Sequence, residues 1–175
     1  ALLALYKPDQ EPEPITLAAL SRQHLLFKIE GKYQPFCRLF TEFIQRKTAR
    51  LFEAAARLGA VLSGADRPVE DALARYGMHV GTAFQLIDDV LDYSGNADSI
   101  GKNLGDDLAE GKMTLPLIRA LAVGGSDDAA TIRHAIEGGG RLTDFGPVLR
   151  VLERTGALAY ARDRAADEGR RAAAC

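Results

Sequence analysis

The stretch FQLIDDVLDY, residues 84–93, places three aspartates among aliphatic and aromatic residues and contains no Lys or Arg. Apolar residues around it recur every three or four positions, which predicts an amphipathic helix from Val69 to Tyr93. The predicted buried face of this helix consists of Leu73, Tyr76, Val80, Phe84, Ile87 and Leu91. The sequence therefore indicates acidic side chains close to a buried apolar surface.

The aspartates lie on one side of this predicted helix. Gly81, Gln85, Asp88 and Asp92 follow one another at helical spacing, in a line rotated by about 100° from the apolar face, and Asp89 joins them. A solvated acidic face normally has Lys or Arg three or four residues from an acid, and here none occupies those positions. Two interpretations stay open: a solvated acidic face, or carboxylates that hold Mg²⁺ or Mn²⁺, which prefer hard oxygen ligands.

The segment that follows, GKNLGDDLAEGK (residues 101–112), adds two lysines and a second acidic pair. The lysines are Lys102 and Lys112, and the acids are Asp106 and Asp107. Because Mg²⁺ is commonly held by a few carboxylates together with phosphate oxygens, lysines beside such a site are typical surroundings of a phosphate. Taken one at a time, both lysines are also consistent with ordinary surface charge.

Helical patterns extend over most of the chain, and no segment shows a clear strand pattern. A first helix is predicted from Leu39 to Leu62, with an apolar stripe formed by Phe40, Ile44, Leu51, Ala55, Leu58 and Leu62. Residues 94–113 are predicted to form a loop, and Thr114 is placed to cap the helix that follows it. The later helices are expected at residues 114–123, 126–137, 146–154 and 157–173, which gives an all-α fold.

Lys47 and Thr48 interrupt the apolar stripe of the first predicted helix, between Ile44 and Leu51. An isolated lysine at such a position usually extends its ammonium group to the edge of the helix. If it instead faces the carboxylates, the two groups make a pocket for a polyanion between helices, where helical bundles commonly build their sites.

Composition excludes several classes of protein. The 175 residues suffice for one core of ordinary size, and the net charge of −2 gives no positive field for DNA or RNA. No apolar run reaches the roughly 20 residues of a membrane span. Cys37 and Cys175 have no metal or redox spacing, which is typical of a cytoplasmic protein.

Three segments together resemble the C-terminal half of trans-polyprenyl diphosphate synthases, and most closely the long-chain, octaprenyl type. They are GTAFQLIDDVLDY (81–93), GKNLGDDLAEGKMTLPLI (101–118) and KTARLFEAAA (47–56). The resemblance runs from about residue 40 to the end, whereas residues 1–39 resemble no known part of the family. It implies an all-α helical bundle of the isoprenoid synthase type that is incomplete at its N-terminal side, with residues 40–175 as its C-terminal part.

The resemblance also implies roles for individual residues. The carboxylates that would hold Mg²⁺ or Mn²⁺ against the allylic diphosphate are Asp88, Asp89 and Asp92. The other expected catalytic or diphosphate-binding residues are Lys47, Thr48, Gln85, Lys102 and Lys112. The acidic pair Asp106 and Asp107 would belong to the loop that closes over the site.

By the same resemblance, the protein is expected to condense isopentenyl diphosphate with an allylic prenyl diphosphate and to act as a cytoplasmic homodimer. The allylic diphosphate ionises to a carbocation, the double bond of isopentenyl diphosphate attacks it, and a proton is lost. The family also carries an earlier DDxxD motif, which is absent before residue 88. That absence favours an alternative, a non-catalytic partner subunit of a complete synthase. A class I terpene cyclase shares the ionisation chemistry, but residues 101–112 are more similar to the chain-elongating family.

Overall fold

The computed structural model describes residues 26–29, 32–35, 48–94, 105–139 and 142–175. In order along the chain, the elements are β1 (Leu26–Ile29), β2 (Lys32–Pro35), α1 (Arg50–Leu62), α2 (Arg67–Ser94), α3 (Asp106–Ala109), α4 (Leu115–Val123), α5 (Ser126–Glu137), α6 (Leu142–Arg154) and α7 (Ala157–Ala173). The predicted all-α class is confirmed, since every described element after Pro35 is a helix. The strands pair antiparallel, from Leu26 opposite Pro35 to Ile29 opposite Lys32, and this short hairpin was not predicted.

Most helix bounds agree with the sequence patterns. Helix α2 extends the predicted range by one or two residues at each end, and α4, α5 and α7 lie where they were expected. Helix α6 begins at Leu142 instead of near residue 146, and the predicted loop 94–113 contains α3. Thr48 and Ala49 form a π-helical turn that leads into α1, whereas the earlier part of that predicted helix, residues 39–47, lies outside the described residues.

The chain folds as two compact units, each with its own set of helices. The first contains the hairpin, α4, α5 and α6, and the second contains α1, α2 and α7, with the boundary falling within α3. Among the described helices, none is long and apolar enough to cross a bilayer.

The first unit has a core of aliphatic side chains from three helices. Its fully buried members include Leu117 from α4, Ile132 from α5 and Leu152 from α6. Asp128 accepts a hydrogen bond from the backbone N–H of Gly125 at 3.0 Å and also pairs with Arg154, which fastens the start of α5 to the end of α6. Thr114 has the extended backbone of a cap, but its hydroxyl makes no capping hydrogen bond and is buried without a hydrogen-bond partner in the described part of the chain.

In the second unit, α1 and α2 form a helical hairpin across a short turn. Gly64 occupies this turn at φ +71°, a left-handed conformation that glycine adopts without strain. Arg57 on α1 donates to Glu70 at 2.6 Å and pairs with Asp71 at 3.2 Å, and the hydrogen bond to Glu70 raises the pKa of Arg57 above its ordinary value. The two helices are thus joined by polar contacts at the turn end of the hairpin.

Two polar contacts join helix α7 to α2. His79 Nδ1 lies 2.7 Å from Glu168 Oε2, and Arg162 donates to the hydroxyl of Ser94 at 3.0 Å. Ala161 and Ala165 are buried within the same unit. Because the His79 and Ser94 contacts lie far apart along α2, they fix the direction of α7 as well as its position.

The apolar faces that the sequence predicted to be buried are largely exposed, and this prediction is wrong. Phe84 on α2 is 58% exposed, and Leu51 and Leu62 on α1 are 71% and 79% exposed. The buried residues of α2 are Ala74, Gly77, Gly81, Thr82, Leu86, Asp89, Val90 and Tyr93. Since α2 has apolar or small residues on two sides, its periodicity identifies a helix without showing which side the rest of the protein covers.

Candidate functional site

The three aspartates near the end of α2 have different surroundings. Asp89 is completely buried, whereas Asp88 and Asp92 are half-buried. The backbone carbonyl of Asp92 accepts a hydrogen bond from Gly105 N–H at 3.0 Å, so the chain returns to the end of α2 just before the second acidic pair. The aspartates thus sit where the helix meets the segment that sequence analysis associated with phosphate.

A chain of side-chain hydrogen bonds joins the turn before α1 to this acidic cluster. The hydroxyl of Thr48 donates to Gln85 Oε1 at 3.2 Å, and Gln85 Nε2 donates to Asp89 Oδ1 at 3.1 Å. Since the amide of Gln85 uses both its acceptor and a donor, its orientation is fixed. Three residues predicted for the site are therefore brought together, two of them 37 positions apart in the sequence.

Two glycines on α2 allow this contact by letting α1 approach closely. A Cβ atom at Gly81 would lie 2.7 Å from Ala49 Cα and 3.0 Å from Phe52 Cβ, and one at Gly77 would lie 2.9 Å from Glu53 Cα. Carbon atoms normally pack at about 3.5–4.0 Å, so side chains at these positions would hold the helices apart. Gly81 lies on the acidic line that the helical spacing predicted, but its role in helix packing was not predicted.

An apolar groove begins beside Asp88. One wall is the exposed side of α2, the other is the end of α7, and the groove is open to solvent with a volume of about 560 Å³. Its lining residues are Tyr76, Val80, Ala83, Phe84, Ile87, Asp88, Leu91, Gly169, Ala172 and Ala173. The ring of Phe84 also contacts Phe52 of α1, with ring centroids 5.6 Å apart. A carboxylate at the edge of an apolar groove suits a ligand with an apolar tail and a head group that is cationic or bound to a metal cation.

The lysines expected near phosphate are only partly described. Lys112 Nζ lies 3.0 Å and 2.9 Å from the two carboxylate oxygens of Asp107, and the backbone N–H of Lys112 donates to the Asp107 carbonyl at 2.8 Å. Its positive charge is therefore balanced locally. Asp106, the other acid of this pair, is exposed, and Lys47 and Lys102 lie outside the described residues.

The carboxylates fit a metal ion that takes few protein ligands. No three His, Cys, Asp or Glu side chains converge on a common point in the described ranges. Mg²⁺ usually keeps several waters and is held by one or two carboxylates plus the oxygens of a bound phosphate. Asp88 and Asp92, one turn apart and half-buried, can supply such a partial set to Mg²⁺ or Mn²⁺.

Comparisons with known proteins match most of the chain. The family model described as "Polyprenyl synthetase" matches residues 28–144, a range that begins before the residue 40 expected from the motifs. The octaprenyl diphosphate synthase of Haemophilus influenzae is 49% identical over 133 residues, which cover 76% of this chain and 40% of that protein. Its counterpart in Escherichia coli is 47% identical over 135 residues, 77% of this chain and 42% of that protein.

The same similarity holds in three dimensions. A polyprenyl synthase from Caulobacter crescentus, solved with calcium and isoprenyl diphosphate, superposes with a TM-score of 0.74 at 43% identity. The superposition covers 78% of this chain and 42% of that protein. A polyprenyl synthetase from Streptomyces coelicolor gives a TM-score of 0.68 at 28% identity and covers 90% of this chain. The chain therefore spans less than half the length of the relatives it matches.

Proposed function

Because this chain belongs to the polyprenyl synthetase family, we propose that it takes part in the condensation of isopentenyl diphosphate with an allylic prenyl diphosphate to give a longer trans-polyprenyl diphosphate. The observation that carries the proposal is the hydrogen-bonded chain from Thr48 through Gln85 to Asp89. It links a hydroxyl in the turn before α1 to the acidic cluster on α2, next to a groove that suits an isoprenoid tail.

In this proposal the acidic cluster holds the diphosphate of the allylic substrate through Mg²⁺ or Mn²⁺. Asp88 and Asp92 supply carboxylate oxygens to the cation, and Asp89 is the buried carboxylate whose position Gln85 fixes. A cation held by these residues would supply positive charge that stabilises the departing diphosphate. Four residues of this chain are proposed to be catalytic: Lys47, Thr48, Gln85 and Asp88.

The lysines are proposed to contribute unequally to diphosphate binding. Lys112 already pairs with both carboxylate oxygens of Asp107, which largely neutralises its positive charge. A bond from Lys112 to a diphosphate is therefore expected to be weak. Lys47 directly precedes Thr48, whose hydroxyl reaches the site, and Lys102 lies three residues before Gly105, which contacts the end of α2. We therefore assign the main contacts with diphosphate to Lys47 and Lys102.

The apolar groove is proposed to hold the prenyl chain and to keep water from the reacting carbon. Ionisation breaks the allylic carbon–oxygen bond, and the diphosphate leaves with the electron pair. The double bond of isopentenyl diphosphate then forms the new carbon–carbon bond, and a proton is lost from the adjacent carbon. The side chains of Val80, Phe84 and Ile87 offer no nucleophile to the cation, which suits this chemistry.

The active assembly is proposed to be a homodimer in the cytoplasm, as the resemblance to polyprenyl synthases suggests. Sedimentation equilibrium of the purified protein at several concentrations measures its oligomeric state, and a strictly monomeric species would contradict the dimer. Fractionation of cells that express the protein tests its location.

Isothermal titration with inorganic pyrophosphate, with and without Mg²⁺, tests the acidic cluster. We expect binding that depends on Mg²⁺ and that weakens by about tenfold or more in a variant carrying both Asp88→Asn and Asp92→Asn, since two charged ligands are lost. The matched control is Asp163→Asn, which removes an exposed carboxylate from α7 and should leave the affinity unchanged. Equal affinity for the double variant and the wild type would contradict the proposed function.

A further inference from the structure

Four residues of α2 follow one another in steps of four: Gly77, Gly81, Gln85 and Asp89. Residues at this spacing form a continuous row along a helix. The first two have no side chain, the third reaches across to Thr48, and the fourth accepts a hydrogen bond from the third. The row thus begins with two glycines that pack against α1 and ends at Asp89 in the acidic cluster.

The distances along this row show how little freedom α1 has. The atom nearest to an added Cβ at Gly81 is the backbone Cα of Ala49, at 2.7 Å, and a backbone atom cannot rotate away. An alanine there would need about 1 Å more space to reach an ordinary carbon–carbon contact. The hydrogen bond from Thr48 to Gln85 is already 3.2 Å long, so a displacement of that size breaks it.

We propose that Gly77 and Gly81 are positioning residues of the site, because they set the separation of α1 and α2 at which Thr48 reaches Gln85. Gln85 then holds Asp89 in place, and the proposed diphosphate site depends on two glycines that contact no ligand. The effect of the glycines on diphosphate binding rests on the proposed function. Their effect on the Thr48–Gln85 hydrogen bond does not.

The hydrogen bond itself is tested first, without any ligand. The side-chain amide resonances of Gln85 report its hydrogen bonds, and they are assigned by comparison with Gln85→Leu. We expect Gly81→Ala and Thr48→Val to shift these resonances in the same direction. The matched control is Gly59→Ala on α1, where an added Cβ meets no atom of the described residues within 4 Å. If Gly81→Ala leaves the resonances unchanged, the inference is wrong.

A double-mutant cycle then tests whether the glycine acts through Thr48. We expect Gly81→Ala and Thr48→Val each to weaken Mg²⁺-pyrophosphate binding by about tenfold, the loss of one hydrogen bond in a partly buried network. The variant with both changes should be no weaker than either single variant, because both remove the same contact. Strictly additive losses would show that the glycine acts independently of Thr48, and would overturn the inference.

Two further outcomes separate this inference from the proposed function. Thr48→Val keeps both glycines and the shape of the side chain, so it gives an answer even if Gly81→Ala fails to fold. Unchanged Gln85 resonances in Thr48→Val would refute the inference. If the wild type binds no pyrophosphate, the proposed function fails, and the resonances of Gln85 still decide whether Gly81 positions α1.

Discussion

Replacing Gln85 with leucine removes both hydrogen bonds of the amide while keeping a side chain of similar volume. The bond from Thr48 is between neutral groups and is worth about 1 kcal/mol, whereas the bond to the Asp89 carboxylate is worth about 1.5–3 kcal/mol. Because Asp89 is completely buried, water does not replace the lost donor without structural change. The free energy of unfolding should therefore fall by about 2.5–4 kcal/mol.

Thermal and urea denaturation followed by circular dichroism measure this loss. For a chain of this size, each kcal/mol lowers the Tm by about 2–4 °C, so Gln85→Leu should lower it by about 5–15 °C. The control is Thr82→Val, since the Thr82 hydroxyl is buried on α2 and donates to the backbone carbonyl of Met78 one turn earlier. Thr82→Val should lower the free energy of unfolding by less than about 1 kcal/mol. A loss below about 0.5 kcal/mol for Gln85→Leu would refute the assignment of Gln85 as the link between α1 and Asp89.

Two more variants test parts of the second unit outside the acidic cluster. His79→Ala should lower the free energy of unfolding by about 1–3 kcal/mol in urea denaturation, because the buried carboxylate of Glu168 loses a partner at 2.7 Å. An unchanged urea midpoint would mean that the His79–Glu168 contact does not stabilise the position of α7. The side chains of Leu58 and Leu62 are 56% and 79% exposed. A variant with both Leu58→Gln and Leu62→Gln should therefore lose less than about 0.5 kcal/mol of stability per substitution and should bind less of a hydrophobic dye. A cooperative loss of structure would instead place both leucines in the core.

Local patterns in the sequence were sufficient to predict most of the described helices, although α3 was missed and α6 begins four residues earlier than predicted. The three- and four-residue spacing of apolar side chains located α2 almost to its ends, and Pro116, in the first turn of α4, lies where the missing N–H of proline costs no hydrogen bond. The hairpin β1–β2 was missed because its strands have only four residues each, although Gly31 between them is a turn signal. Short elements carry too few residues for a period to be recognised.

The candidate site was only partly predictable from the sequence. Asp88, Asp89 and Asp92 could be assigned to one helix from their spacing, but spacing did not show that Asp89 alone is completely buried. The bond between Thr48 and Gln85 depends on how two helices pack, which a single helical period does not encode. Gly77 and Gly81, four residues apart inside an amphipathic pattern, were the available signal for close helix packing.

The hairpin of α1 and α2 also has a consequence for the order in which the chain folds. Thr48 and Gln85 are 37 positions apart, whereas His79 and Glu168 are 89 apart. Closing the longer loop costs about 0.8 kcal/mol more in chain entropy, and contacts between nearby residues form faster. During synthesis, α2 is complete before α7 leaves the ribosome. We therefore expect the Thr48–Gln85–Asp89 contacts to form cotranslationally, with α7 docking afterwards onto a hairpin that is already in place.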